Sequence, residues 1–218
     1  MKTRTLAMLG GTAVLVLAAT MTAQAVTITL NNAGFETGDL TGWTTSIPSG
    51  ASVSVVSSHT DYTGWGTGTT SWSPYEGEYF ALLKTDGPGN WCQLYQSFTA
   101  QKDDVLSFAY FWDSRDYKYY DDTAQGRLVD STGNNVATLF YQHVNGDPSD
   151  YYGTPWTRVD YAIPASETYK VVFEIANGGD SGLDSYLGVD AIPEPVTMAG
   201  LMLGIGGLVG YARKRLTA

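Results

Sequence analysis

The segment Tyr169-Lys170-Val171-Val172-Phe173-Glu174-Ile175-Ala176 puts Tyr169, Val171, Phe173 and Ile175 on one side of an extended chain and Lys170 and Glu174 on the other. Side chains of a strand point alternately to its two faces, so this period of two marks a strand with one face in a core. The same period recurs over 26–30, 52–57, 78–84, 93–100, 105–113, 126–130, 136–142, 157–163 and 186–192. Between these runs lie breaks rich in Gly, Asn, Asp, Pro and Ser, such as the hairpin turn Ser131-Thr132-Gly133-Asn134. Leu106, Phe108, Tyr110 and Trp112 form a second inward row. No stretch among them shows the apolar spacing of an amphipathic helix. Many short strands without helices predict an all-β antiparallel β-sandwich, most simply a jelly roll.

The two ends follow other rules. Lys2 and Arg4 precede an apolar run from Leu6 to Ala19, and Ala23-Gln24-Ala25 is a small-x-small cleavage site. This is the pattern of a signal peptide over 1–25. At the other end Pro193-Glu194-Pro195 is followed by an uncharged apolar stretch, 196–211, and by Arg213-Lys214-Arg215. The prolines end the upstream domain because they lack a backbone donor and turn their neighbours away from helix. The apolar stretch predicts a single transmembrane helix about 24 Å long. Flanking basic side chains snorkel to the interface and keep the C-terminus cytoplasmic. By spacing alone it is a single-pass anchor. The chain thus divides into 1–25, a β-sandwich ectodomain over 26–192, and a C-terminal signal over 193–218.

Charge sharpens this division. Of 12 Lys and Arg, five lie before residue 26 or after residue 195, while all 22 Asp and Glu lie between, leaving the exported part up to Pro195 at −15. A surface so acidic excludes nucleic-acid binding by bulk electrostatics and favours solubility and divalent cations. Cys92 is the only cysteine, so no internal disulfide forms. It reads as a buried strand residue.

Pro193-Glu194-Pro195, a short Gly-rich apolar span and an Arg-rich end, in that order, resemble the PEP-CTERM sorting signal of Gram-negative bacteria. The resemblance covers Ile192 to Ala218. It implies recognition at Pro193-Glu194-Pro195 by an exosortase after transient residence of 196–211 in the inner membrane. It further implies a non-enzymatic protein of the cell surface or extracellular matrix, from a cell that makes exopolysaccharide or biofilm. Ser73-Pro74-Tyr75-Glu76-Gly77-Glu78-Tyr79-Phe80-Ala81-Leu82-Leu83 is similar to a stretch of such exported proteins and brings no activity with it.

A second resemblance lies at the start of the ectodomain. Asn31-Asn32-Ala33-Gly34-Phe35-Glu36, with Gly42-Trp43 beyond it, resembles the opening of carbohydrate-binding-module-like, galactose-binding-like jelly rolls. Tyr186-Leu187-Gly188-Val189-Asp190-Ala191-Ile192 resembles their closing strand. The resemblance implies that first and last strands lie side by side, so that Glu36 and Asp190 meet and hold a structural Ca²⁺ with backbone carbonyls. Calcium takes such hard oxygen ligands in flexible geometry. The other reading makes Glu36 a turn cap and Asp190 a strand-end carboxylate.

For binding, Trp65, Trp72, Tyr75 and Trp156 fall in loops, where aromatic faces stack on sugar rings. They equally suit the closing of a sandwich's ends. A lectin-like glycan-binding module is therefore the alternative function, with extracellular polysaccharide as partner. Asp113, Asp116, Asp121 and Asp122 read either as a second cation site or as a solvated loop. Asn177 to Asp184 reads as a hairpin loop. No nucleophile elbow or metalloprotease motif is present. Carboxylates are abundant but nothing selects a pair, so a polysaccharide hydrolase is the remote alternative.

Overall fold

The computed structural model describes residues 26–61 and 70–190. The signal peptide over 1–25, Trp65, Pro193-Glu194-Pro195 and the apolar segment 196–211 lie outside them. Among the described residues no helix is long and apolar enough to cross a membrane.

The chain is an antiparallel β-sandwich with jelly-roll character. In chain order the strands are β1 (Thr44–Ser46), β2 (Ser52–Val56), β3 (His59–Thr60), β4 (Ser71–Trp72), β5 (Phe80–Lys84) and β6 (Cys92–Ala100). They continue with β7 (Val105–Asp113), β8 (Thr123–Asp130), β9 (Asn135–His143), β10 (Thr157–Ala162), β11 (Glu167–Ala176) and β12 (Tyr186–Asp190). One five-stranded sheet, here the front sheet, has the order β1-β6-β11-β8-β9; the back sheet has β10-β7-β12-β5-β2. A small hairpin, β3-β4, stands apart from both.

The alternation read from the sequence explains the core. Tyr169, Val171, Phe173 and Ile175 of β11 meet Leu106, Phe108, Tyr110 and Trp112 of β7 in one buried cluster between the sheets. Cys92 lies in the same cluster, and burial pushes its thiol up to about 11, so it is an unreactive packing residue. Gly126 of β8 has no side chain because Phe140 of β9 lies over it; a Cβ there would come within 2.5 Å of the ring. The ladder between β8 and β9 shifts register next to this glycine.

β5 departs from simple alternation. Ala81 and Leu83 face the main core, while Phe80 and Leu82 face outward into a second cluster with Trp72 and Phe111. A strand buried on both faces reads as a continuous apolar run. The hairpin β3-β4 brings Trp72 over the outer face of the back sheet and makes that burial possible.

Three sequence expectations are corrected. Residues 26–30 do not form a strand; they make an isolated parallel bridge, Thr27 to Val105. β12 pairs with β5 and β7, so the first and last segments are not neighbours in a sheet. Residues 177–184 are not a hairpin loop, because β11 belongs to the front sheet and β12 to the back sheet, and the segment crosses between them. In each case local pattern identified an extended or turning segment, while its partner was set by distant strands.

Candidate functional site

Glu36 and Asp190 both accept hydrogen bonds from one turn that neither sequence motif contains. The turn 75–79 precedes β5. The backbone N–H of Glu78 reaches both Glu36 oxygens, at 3.0 and 3.1 Å, and that of Tyr79 donates to Oε1 at 3.2 Å. The N–H of Glu76 donates to Asp190 Oδ2 at 3.0 Å. Gly77 sits at the apex with φ +73°, and a Cβ there would collide with the Glu36 carboxylate. Only glycine accepts both conditions.

Asp190 is 1% exposed, and its Oδ1 has no hydrogen-bond partner. Burial pushes its carboxyl up to about 7, and the charges of Glu36 and Glu76 push the same way, against the pull of the turn's N–H groups. An orphaned buried oxygen beside a second carboxylate fits a hard cation that shares oxygen ligands. Among the described residues no group of three His, Cys, Asp or Glu side chains gathers to hold a metal. A cation here would therefore be held by Glu36, Asp190 and neutral oxygens, a donor set that suits Ca²⁺.

The aromatic candidates have a different fate. Trp72 is 4% exposed, stacks on Phe111 at 4.5 Å and donates its indole N–H to Thr154 O at 2.9 Å. Trp156 donates to Ser73 O at 2.8 Å and meets Phe80 and Phe111 edge-on. Tyr75, 36% exposed, touches Trp156 edge-to-face. Trp72, Tyr75 and Trp156 are thus gathered on the back sheet's outer face as a packed cluster, with both indole N–H groups satisfied. Within it His59 stacks on Trp72 and bonds Asp113 Oδ2 at 2.7 Å.

The acidic loop after β7 is solvated only in part: residues 117–119 are exposed and Asp121 is half-buried beside His143. Asp113, Asp116 and Asp122 are buried. Asp122 accepts from Gly178 N–H at 2.9 Å and from the Ser185 hydroxyl at 2.7 Å, which ties the loop to the 177–185 crossover. Burial pushes its carboxyl up to about 6 despite these bonds.

The outer face of the front sheet carries a polar constellation that sequence reasoning did not single out. Cross-strand registry places Gln93, Glu174, Gln125 and Tyr141 in one row across β6, β11, β8 and β9. The next row holds Tyr95, Val172 and Arg127, and the one beyond it Lys170 and Val129. Glu174 is 1% exposed although it points away from the core. Its oxygens accept from Gln93 Nε2 at 2.6 Å, Gln125 Nε2 at 2.7 Å, Arg127 Nε at 2.6 Å and Arg127 Nη2 at 3.0 Å.

This network fixes its members chemically. An ionised carboxylate only accepts, so both glutamines must turn their NH₂ groups towards it. Their Oε1 atoms are then held away from Glu174 as oriented acceptors. Arg127 gives one edge of its guanidinium to Glu174, leaving the Nη1 donors. Tyr141 is 52% exposed, and Lys170 Nζ lies 4.9 Å from the centroid of the Tyr95 ring. A signal existed: Gln93, Tyr95, Gln125, Arg127, Lys170 and Glu174 all fall on outward positions of central strands, where short polar residues would suffice for solubility.

No family model matches the chain, and no curated protein matches it. Among solved structures it is similar to TmCBM61 in complex with β-1,4-galactotriose, at 16% identity over 76% of this chain and 97% of that one, with a TM-score of 0.41. It is also similar to the CBM22-1 xylan-binding domain of Paenibacillus barcinonensis Xyn10C, at 13% identity over 79% and 100% and a TM-score of 0.42. A third likeness, 12% identical with a TM-score of 0.42, is to the enzymatically active domain of tailspike protein 4 from bacteriophage CBA120. It covers 75% of this chain, which spans about a fifth of the tailspike chain, 21%.

Proposed function

We propose that this domain binds polysaccharide, without turnover, on the outer face of the front sheet. The observation that carries the reading is the Glu174 network. It holds two amide acceptors and a guanidinium in fixed register on a rigid sheet, with Tyr141 in the same row and Tyr95 in the next. Sugars present hydroxyl edges that need oriented donors and acceptors, and C–H faces that need aromatic or aliphatic surface. Gln93 and Gln125 supply the first, and Tyr95, Tyr141 and Val172 the second. Preorganisation reduces the entropy lost on binding. The neighbours' names, which mention galactotriose and xylan, agree with this class of ligand.

Turnover is not part of the reading because Glu174 has both oxygens engaged. A general acid or base needs a position free to exchange a proton with the substrate. The loop aromatics Trp72, Tyr75 and Trp156 belong to a packed cluster, and the binding role falls to the sheet face.

Affinity electrophoresis against a panel of polysaccharides tests this. Tyr141→Ala and Gln125→Ala should each weaken retention about tenfold, the cost of one good contact. Trp156→Ala should leave retention unchanged in protein that remains folded. If Trp156→Ala abolishes retention and the two sheet variants do not, the site lies on the back sheet.

The chain's ends support a further part of the proposal: an exported protein released or displayed after exosortase processing at Pro193-Glu194-Pro195, with Ca²⁺ at Glu36 and Asp190 as a structural ion. The order of proline pair, apolar span and basic end is what favours it.

A further inference from the structure

We infer that the glycan taken by the front-sheet face is acidic, and that Lys170 and Arg127 receive the carboxylate of a uronic acid residue. The inference rests on the glycan-binding reading and adds its ligand class. It starts from a cavity of about 250 Å³ on that face, lined by Gln93, Tyr95, Arg127, Lys170 and Val172 together with Val129 and Gly133. The cavity is open and small, about the scale of one sugar ring and below the range of larger ligand pockets. Its lining holds two cations and no carboxylate.

That composition stands out against the exported part as a whole, where acidic residues outnumber basic ones about three to one. The two acids nearest the cavity are already committed. Glu174 accepts four hydrogen bonds from Gln93, Gln125 and Arg127. Asp130, beside Lys170 in the adjoining hollow, accepts from the backbone and side chains of Thr132 and Asn134. Their charges offset those of Arg127 and Lys170 overall, but Glu174 spends both oxygens on its donors and Asp130 lines the adjoining hollow, so neither carboxylate lines the cavity. An incoming group therefore meets donors. Arg127 keeps Nη1 after its edge is given to Glu174. Lys170 makes no ion pair among the described residues, and its ammonium is held over the Tyr95 ring. A planar carboxylate bridging Nη1 and Nζ forms charge-assisted bonds, which are stronger than bonds between neutral groups.

The acidic remainder of the surface opposes a polyanion at long range. At physiological ionic strength the screening length is about 8 Å, so this repulsion is damped while contact pairs persist. Selectivity for acid sugars must then depend on the contact residues, and that makes it testable by substitution.

The probes are polygalacturonate, alginate and glucuronoxylan, each paired with its carboxyl-reduced counterpart, in which every uronate has become a neutral sugar on the same linkages. Binding of the full protein is measured by affinity electrophoresis and calorimetry at 0.15 M salt, roughly the physiological value. At least one acid polymer should bind about tenfold more tightly than its reduced partner, as expected for loss of one charge-assisted contact. Lys170→Gln, which keeps the stem, should shrink that preference to within about threefold, and Lys170→Arg should preserve it. If the reduced polymers bind as tightly as the acids, or Lys170→Gln retains the preference, the acid-sugar inference is refuted while the glycan reading stands. If no polymer of either kind is retained, the glycan reading falls and takes the inference with it.

Discussion

Replacing Asp190 by Asn should flatten the pH dependence of stability. In the native chain Asp190 is buried with Oδ1 unpartnered, and its carboxyl is pushed up from 3.8 to about 7. Below pH 3.8 the group is protonated in both folded and unfolded chains and contributes no pH dependence. Between 3.8 and about 7 the unfolded chain releases its proton while the folded chain keeps it. Stability therefore falls as pH rises, and the loss is complete above about 7. A shift of this size corresponds to on the order of 4 kcal/mol. Calcium reverses the sign of the local problem. A cation between Glu36 and Asp190 replaces the proton, so Ca²⁺ binds more weakly in acid and stabilises most at alkaline pH. Urea unfolding of the wild type and Asp190→Asn from pH 4 to 8, in EDTA and in millimolar Ca²⁺, measures both effects. Asp122, also pushed up to about 6, tilts both proteins alike, so the difference between them isolates Asp190. Parallel wild-type and Asp190→Asn curves in EDTA would refute the electrostatic argument. Equal Ca²⁺ shifts in the two proteins would remove the cation from this site.

Gly77→Ala should destabilise by about 1–3 kcal/mol, since it forces a side chain into a left-handed φ and against the Glu36 carboxylate; thermal melts with Ca²⁺ should show a reduced Ca²⁺ response as well. Glu194→Ala should leave an unprocessed, membrane-held precursor with ectodomain stability unchanged; intact mass of the exported wild-type protein decides the premise, because retention of 196–218 would identify an ordinary anchor.

How much was legible in the sequence depends on the range of the interaction. β11 and β7 were readable residue by residue, because alternation is local and each inward apolar side chain declares the face it occupies. The outward residues Lys170 and Glu174 were equally visible, yet their role was hidden. Glu174 becomes a buried acceptor only because Gln93 lies 81 positions away along the chain and Gln125 lies 49, and both strands pair with β11. The loop aromatics left two readings open, and the structure packs them. Trp72 and Trp156 look like exposed stacking surfaces in a polar loop, but an indole is as content to cover a sheet. The outward Phe80 and Phe111 give them one to cover.

Glu36 and Asp190 mark the boundary between the two kinds of information. Motif and charge alone implied that these two carboxylates share a function. The expected means, adjacent first and last strands, is absent: β12 lies between β5 and β7, and the one backbone bridge of residues 26–30 is from Thr27 to Val105 at the start of β7. The 75–79 turn joins them instead, its N–H groups divided between the two side chains. Strand content, core faces and charge were thus set by the sequence read locally, since each depends on neighbours a few residues apart. Strand order, the shared turn, the second aromatic cluster and the Glu174 face were decided only in three dimensions. Hydrogen-bond partners and burial on the outer faces depend on which distant segments a sheet brings side by side, and alternation along one strand carries no record of its neighbour.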